Sequence, residues 1–173
     1  MANPRPLARD PVTGAIAPTS FAWAFSEQLS EAQRQGQRLA VLLAGVDRFA
    51  EANARWPRAT ADDLLAAIAR RIGAILPIEG LLARYQSDQF AALCAVGSLE
   101  QAAAFATRLR RRVSDRPFRV AGADDAYFFT VSVGVAISPA SADVRLREVM
   151  ELAEAALRQA KEAGRNRMAV AGT

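Results

Sequence analysis

Histidine is absent from this 173-residue chain, cysteine occurs once, as Cys94, and lysine once, as Lys161. Without histidine there is no imidazole general acid or base and no imidazole metal ligand. A lone cysteine rules out a disulfide within the chain and a thiolate metal cluster. Cys94 lies in an apolar run and reads as a small core residue. Any chemistry must therefore draw on carboxylates, Lys or Arg, hydroxyls, or a metal held by oxygen ligands. No apolar run is long enough to span a bilayer, and no signal-peptide pattern is present. These absences predict a soluble, cytoplasmic module that does not itself insert into membranes, whether alone or as part of a larger, membrane- or pole-associated protein.

What is present fits that class. Apolar residues make up 51% of the chain, enough at this length for one domain with a substantial core. Lys and Arg number 22 against 18 Asp and Glu, a net charge of +4 that favours anionic partners. Arg108, Arg110, Arg111 and Arg112 cluster at the end of a predicted helix, where cations offset the macrodipole. They read as a solvated helix end, and no nucleic-acid partner is expected.

Residues 1–18 hold four of the eight prolines and little periodicity, which predicts an extended lead-in to a domain at 19–173. Thr19 or Ser20 can cap a helix to about Gln35, stopped by Gly36. Leu39–Val46 is a continuous apolar run, expected as a central strand covered on both faces. A second helix is expected from Thr60, with Asp62 and Asp63 in its first turn and Pro77 at its end. Leu81–Cys94 then reads as a hairpin whose polar tip is Gln86-Ser87-Asp88-Gln89. A helix over Ser98–Val113 follows, and Phe118–Val120 and Tyr127–Ile137 are expected as strands joined by the 121–125 turn. The last helix carries Leu146, Val149, Met150, Ala153, Leu157 and Ala160 on one stripe and stops at Gly164. Arg165–Val170 closes as a short edge strand. Helices alternating with strands, plus one hairpin, indicate an α/β sandwich with a mixed sheet.

Four stretches resemble one family. Arg84, Tyr85, Asp88 and Phe90 match the hairpin motif Arg-Tyr/Phe-Gly-Gly-Asp/Glu-Glu-Phe of the diguanylate cyclase (GGDEF) family. Asp10-Pro11-Val12-Thr13-Gly14 is similar to its Asp-x-Leu-Thr-Gly entry sequence. Val131-Ser132-Val133-Gly134-Val135-Ala136 and Ala160-Lys161-Glu162-Ala163-Gly164-Arg165-Asn166 are similar to its Val-Ser-x-Gly-Val-Ala strand and Ala-Lys-x-x-Gly-Arg-Asn ending. The resemblance covers residues 10–170 in the family's order. It implies a GGDEF/nucleotidyl-cyclase-like α/β sandwich, with a largely antiparallel mixed sheet of about five strands flanked by helices.

The resemblance also implies a chemistry. The family joins two GTP molecules into cyclic di-GMP across a transient homodimer, with divalent metal ions held by carboxylates. Gly45 stands where the family's Asp-x-Asp-x-Phe begins, Asp47 keeps the second aspartate, and Asp88 keeps the hairpin's metal carboxylate, with the Val46 backbone beside it. Gln89 replaces the glutamate, and Gln86 and Ser87 replace the two glycines, whose freedom of φ and lack of Cβ let backbone approach phosphate. No catalytic residue is therefore expected at Gly45, Gln86, Ser87 or Gln89.

Asn53 and Asp62 align with the family's guanine-reading pair, and Lys161 and Arg165 with its phosphate contacts. Plainer readings stand beside these. Asp62 and Lys161 suit the two ends of their helices, Asn53 suits a turn, and Asp88 suits the hairpin tip. The family's product-inhibition Arg-x-x-Asp is replaced by Pro77-Ile78-Glu79-Gly80, and Arg112-Val113-Ser114-Asp115 spells it on the wrong element. The implied function is a catalytically inactive regulatory or protein-interaction module in bacterial cyclic di-GMP signalling. Its partners would be other signalling domains or proteins, including a second copy or an active GGDEF protein. GTP is a candidate ligand, and Mg²⁺ is expected only with GTP. The alternative is a weakly active diguanylate cyclase that uses Asp47 and Asp88 around a displaced metal.

Overall fold

The structure, a computed structural model, describes residues 7–120, 124–140 and 143–172. Strand β1, Arg38–Val46, is buried at every position after Arg38, so it must be covered on both faces and flanked on both edges. It sits at the centre of a five-stranded sheet. Its antiparallel neighbours are β3 (Gln89–Val96) and β4 (Val131–Ile137). Strand β2 (Leu81–Gln86) pairs antiparallel with β3, and β5 (Met168–Val170) runs parallel to β4. The expected mixed, largely antiparallel sheet is the observed one, in the order β2-β3-β1-β4-β5.

Alternation along β1 divides the core into two layers. Leu39, Val41 and Leu43 face helices α1 (Pro18–Arg34) and α5 (Leu146–Glu162). Ala40, Leu42, Ala44 and Val46 face α3 (Arg58–Gly73) and α4 (Leu99–Ser114). A short helix, α2 (Phe49–Asn53), joins β1 to α3 and has no counterpart in the sequence expectations. Cys94 lies inside the second layer, where burial pushes its thiol up to about 11 against the opposing pull of Arg108.

Several boundaries move, each for a local reason. Helix α1 starts at Pro18, whose fixed φ suits the first helical position, and neither Thr19 nor Ser20 caps it. The Ser20 hydroxyl instead accepts the Ala8 N–H at 3.0 Å. Helix α3 likewise begins after Pro57, two residues ahead of Thr60, which places Asp62 in the second turn, and it ends at Gly73 before Pro77. Ser98 caps α4, its hydroxyl accepting the Gln101 N–H at 3.2 Å.

The expected strand at Phe118–Val120 contracts to one bridge, Phe118 with Tyr127. Packing replaces the ladder there. Phe118 and Phe129 are buried together, and Arg71 stacks over Phe118 at 3.6 Å while donating to the carbonyls of Val113, Arg116 and Pro117. Residues 121–123 of the expected turn lie outside the described residues. Residues 7–17 pack against the sheet's outer strand, with Ile16 fully buried and bridged to Ala83.

Among the described glycines, Gly134 leaves the least room for a side chain. A Cβ there would stand 2.1 Å from the Ala153 carbonyl oxygen and 2.4 Å from the Leu157 nitrogen, so α5 rests directly on the β4 backbone. Gly134→Ala should therefore cost about 3 kcal/mol or more in denaturant unfolding, because backbone cannot yield as a side chain does. Gly73→Ala, with nothing within 4 Å of its Cβ, should raise stability by about 0.5 kcal/mol in the same assay.

Candidate functional site

The β2–β3 turn projects Ser87 and Asp88 from the end of the sheet, and one arginine organises it. Arg84 Nη1 donates to both oxygens of Asp10, at 3.1 and 3.0 Å, while its Nε and Nη2 donate to the Ser87 carbonyl at 3.2 and 2.8 Å. Asp10 also accepts the Thr13 N–H and hydroxyl, at 2.8 and 2.7 Å. The turn at residues 10–14 and the hairpin tip are thus held by one clamp. Burial pushes the Asp10 carboxyl up, but the Thr13 donors and the Arg84 guanidinium together outweigh it and hold it below the usual carboxylate range. A second tie runs from the hairpin to α5. The Tyr85 hydroxyl donates to Glu154 at 2.6 Å, and burial together with that carboxylate pushes it up to about 12. Finally, the Val46 N–H donates to the Asp88 carbonyl at 3.0 Å, joining the end of β1 to the tip.

Three clefts surround this end of the sheet. One, of ≈ 480 Å³, brings together Asn53 from the end of α2, Asp62 from α3, and Ser87 and Asp88 from the hairpin, with Trp56 on its wall. Arg58 approaches Asp62 at 3.9 Å, an exposed pair of little strength. A second cleft, of ≈ 240 Å³, holds Lys161 with Gln86, Gln89 and Arg158. Arg165 lies apart from both. It lines a third, larger cleft of ≈ 550 Å³ with Arg48, Phe128 and Asn166, and Trp56 separates that cleft from the first. The geometry therefore groups Asn53, Asp62 and Asp88, sets Lys161 across the hairpin tip, and places Arg165 elsewhere.

Asp47 has a role that its motif position hides. It is buried, and its carboxylate accepts the Thr130 hydroxyl at 2.6 Å, the Ser132 hydroxyl at 2.7 Å and the Asn166 N–H at 3.0 Å. Both oxygens are committed to bracing β1 against β4 and the turn after α5, so Asp47 is not a free metal ligand. Thr130 and Ser132, two apart on one strand face, were the signal for this in the sequence.

Gly45 offers no side chain, and the space above it is taken. A Cβ built there would lie 3.0 Å from Lys161 Nζ and 3.1 Å from its Cε. Gln89, which pairs with Gly45 across the strands, is neutral. Among the described residues, no three Cys, Asp or Glu side chains converge as a metal-holding group. The one carboxylate at the hairpin tip is Asp88.

Over residues 7–167 the sequence matches the family described as diguanylate cyclase, GGDEF domain. The chain belongs to the GGDEF family. It is 29% identical over 166 residues to the probable diguanylate cyclase DgcT of Escherichia coli, an alignment covering 94% of this chain and 35% of that protein. It thus spans about a third of that relative's length. Its fold is similar to the GGDEF domain of DgcB from Caulobacter crescentus, crystallised with c-di-GMP, with a TM-score of 0.86 and 25% identity over 100% of this chain and 98% of that one. It is similar also to the diguanylate cyclase SiaD of Pseudomonas aeruginosa in complex with its activator SiaC. There the TM-score is 0.84 at 29% identity, covering 94% of this chain and 61% of that one.

The clamp on the GGDEF hairpin is testable by pH. A carboxyl held below its ordinary value stabilises the fold above that value and loses the contribution as pH falls through the folded one. Asp10→Asn should cost about 1–3 kcal/mol near neutral pH. The gap between the two proteins should stay level down to the ordinary value near 3.8 and narrow below it, as read by urea midpoints across pH.

Proposed function

We propose that this GGDEF domain is a noncatalytic regulatory module of cyclic di-GMP signalling that retains a guanine-nucleotide site. The observation that carries the first half is the state of the β1 end. The position opposite the hairpin carboxylate is a glycine overlaid by the Lys161 ammonium, and the neighbouring Asp47 is spent on three structural hydrogen bonds. A two-metal displacement depends on carboxylates that clamp the cations, and one remaining carboxylate supports no such clamp. Gln89 adds no charge and takes no proton. Gln86 and Ser87 add side chains at the tip, where the family motif has two glycines.

The second half rests on the cleft shared by Asn53, Asp62 and Asp88. An amide oxygen and a carboxylate are acceptors suited to the N1–H and N2–H₂ donors of guanine, and a cleft of this size suits a nucleotide. Regulation would pass through protein contacts. SiaD, a relative of similar fold, was crystallised with an activator protein, which supports a protein partner for this domain as well.

Two measurements test the reading. Mass spectrometry after long incubation with GTP and Mg²⁺ or Mn²⁺ should find no cyclic di-GMP, whereas steady product formation would make the domain an enzyme. Calorimetric titration with GTP should show binding that Asp62→Ala weakens by at least about tenfold, the scale of a lost charge-assisted hydrogen bond. Equal binding by the variant would put the nucleotide outside the Asn53–Asp62 cleft, and no heat up to millimolar GTP would leave a fold kept for its protein-binding surface.

A further inference from the structure

We infer that this domain binds the nucleotide's phosphates without a divalent cation, with the Lys161 ammonium over Gly45 as the counter-charge. The inference rests on the nucleotide-binding reading above and adds that the residues present do not fit a dication, whose charge Lys161 replaces. Three observations carry it.

The residues present do not fit a hard dication. Such an ion needs several anionic or carbonyl oxygens, and the strand position that would face Asp88 bears no side chain. The place of its Cβ lies 3.0 Å from a cationic nitrogen, which would repel a metal seated there. Asp47 cannot swing in to compensate, because Thr130 and Ser132 on the β4 segment and Asn166 in the turn after α5 hold it with three hydrogen bonds.

Lys161 itself is uncommitted. It is half-buried, and no hydrogen bond or ion pair engages its side chain among the described residues. Arg158, three residues earlier on α5, borders the same cleft, so the two together supply the charge of one dication. Of the carboxylates at that cleft, Glu154 accepts the Tyr85 hydroxyl and Glu162 is exposed at the helix end.

The positions also adjoin. Gly45 pairs with Gln89, and the next residue, Val46, bonds to Asp88, so the ammonium lies one strand residue from the tip that borders the Asn53–Asp62 cleft. A polyphosphate anchored by its base in that cleft would reach Lys161 across the tip.

The experiment is GTP titration of the intact chain by calorimetry, once with saturating Mg²⁺ and once in EDTA, for the native protein and Lys161→Gln. Thermal melts of the variant check folding. Native affinities should agree within about threefold in the two buffers, and Lys161→Gln should lower the EDTA affinity by about tenfold. Binding that appears only with Mg²⁺ overturns the inference and leaves the nucleotide site standing. Binding in EDTA that a folded Lys161→Gln variant keeps in full overturns it too, since the counter-charge would then lie elsewhere. No binding in either buffer at millimolar GTP overturns the nucleotide reading and the inference with it.

Discussion

Helix α5 lies on bare backbone at Gly134, and much of the molecule takes its position from that approach. The helix could not sit so low over a side chain, since a Cβ there would overlap the Ala153 carbonyl and the Leu157 backbone. Leu157 reaches from the same turn toward the place of a Gly45 Cβ, at 3.4 Å, and Lys161 follows one turn later. Two glycines on neighbouring strands therefore set how the last helix meets the functional end of the sheet. The turn after it returns the Asn166 N–H to Asp47, which closes the helix back onto β1.

Around that platform the ends of the strands are tied by polar contacts that apolar packing cannot supply. Arg84 holds the hairpin to the turn at residues 10–14, while Asp47 holds β1 to β4. Both carboxylates are buried with their hydrogen bonds satisfied, the condition under which buried charge is tolerated. At the hairpin tip the contacts fall on the backbone carbonyls of Ser87 and Asp88, so they hold it whatever side chains it carries.

The strands and helices were legible because their apolar periods are clean, β1 above all. Helix starts were less so. Thr19, Ser20 and Thr60 have the side chains of caps, but the prolines just before them set the backbone first. Phe118–Val120 looked like a strand because aromatic and β-branched residues favour strands, yet here the aromatic cluster and Arg71 consume the segment. The grouping of Asn53, Asp62 and Asp88 could be anticipated only through the family motifs. The capture of Asp47 depends on β1 pairing with β4, hinted at in the sequence by Thr130 and Ser132 sharing a strand face, whereas the placing of Lys161 over Gly45 depends on how β1 and α5 meet, which no local pattern encodes.

The burial of Cys94 carries a consequence for oxidative chemistry. Reaction with peroxide or with a disulfide proceeds through the thiolate, and a thiol pushed up to about 11 inside the core presents almost none near neutral pH. The chain's one sulfhydryl is therefore electronically and sterically silent. A surface cysteine introduced for labelling would react alone among the thiols of the chain.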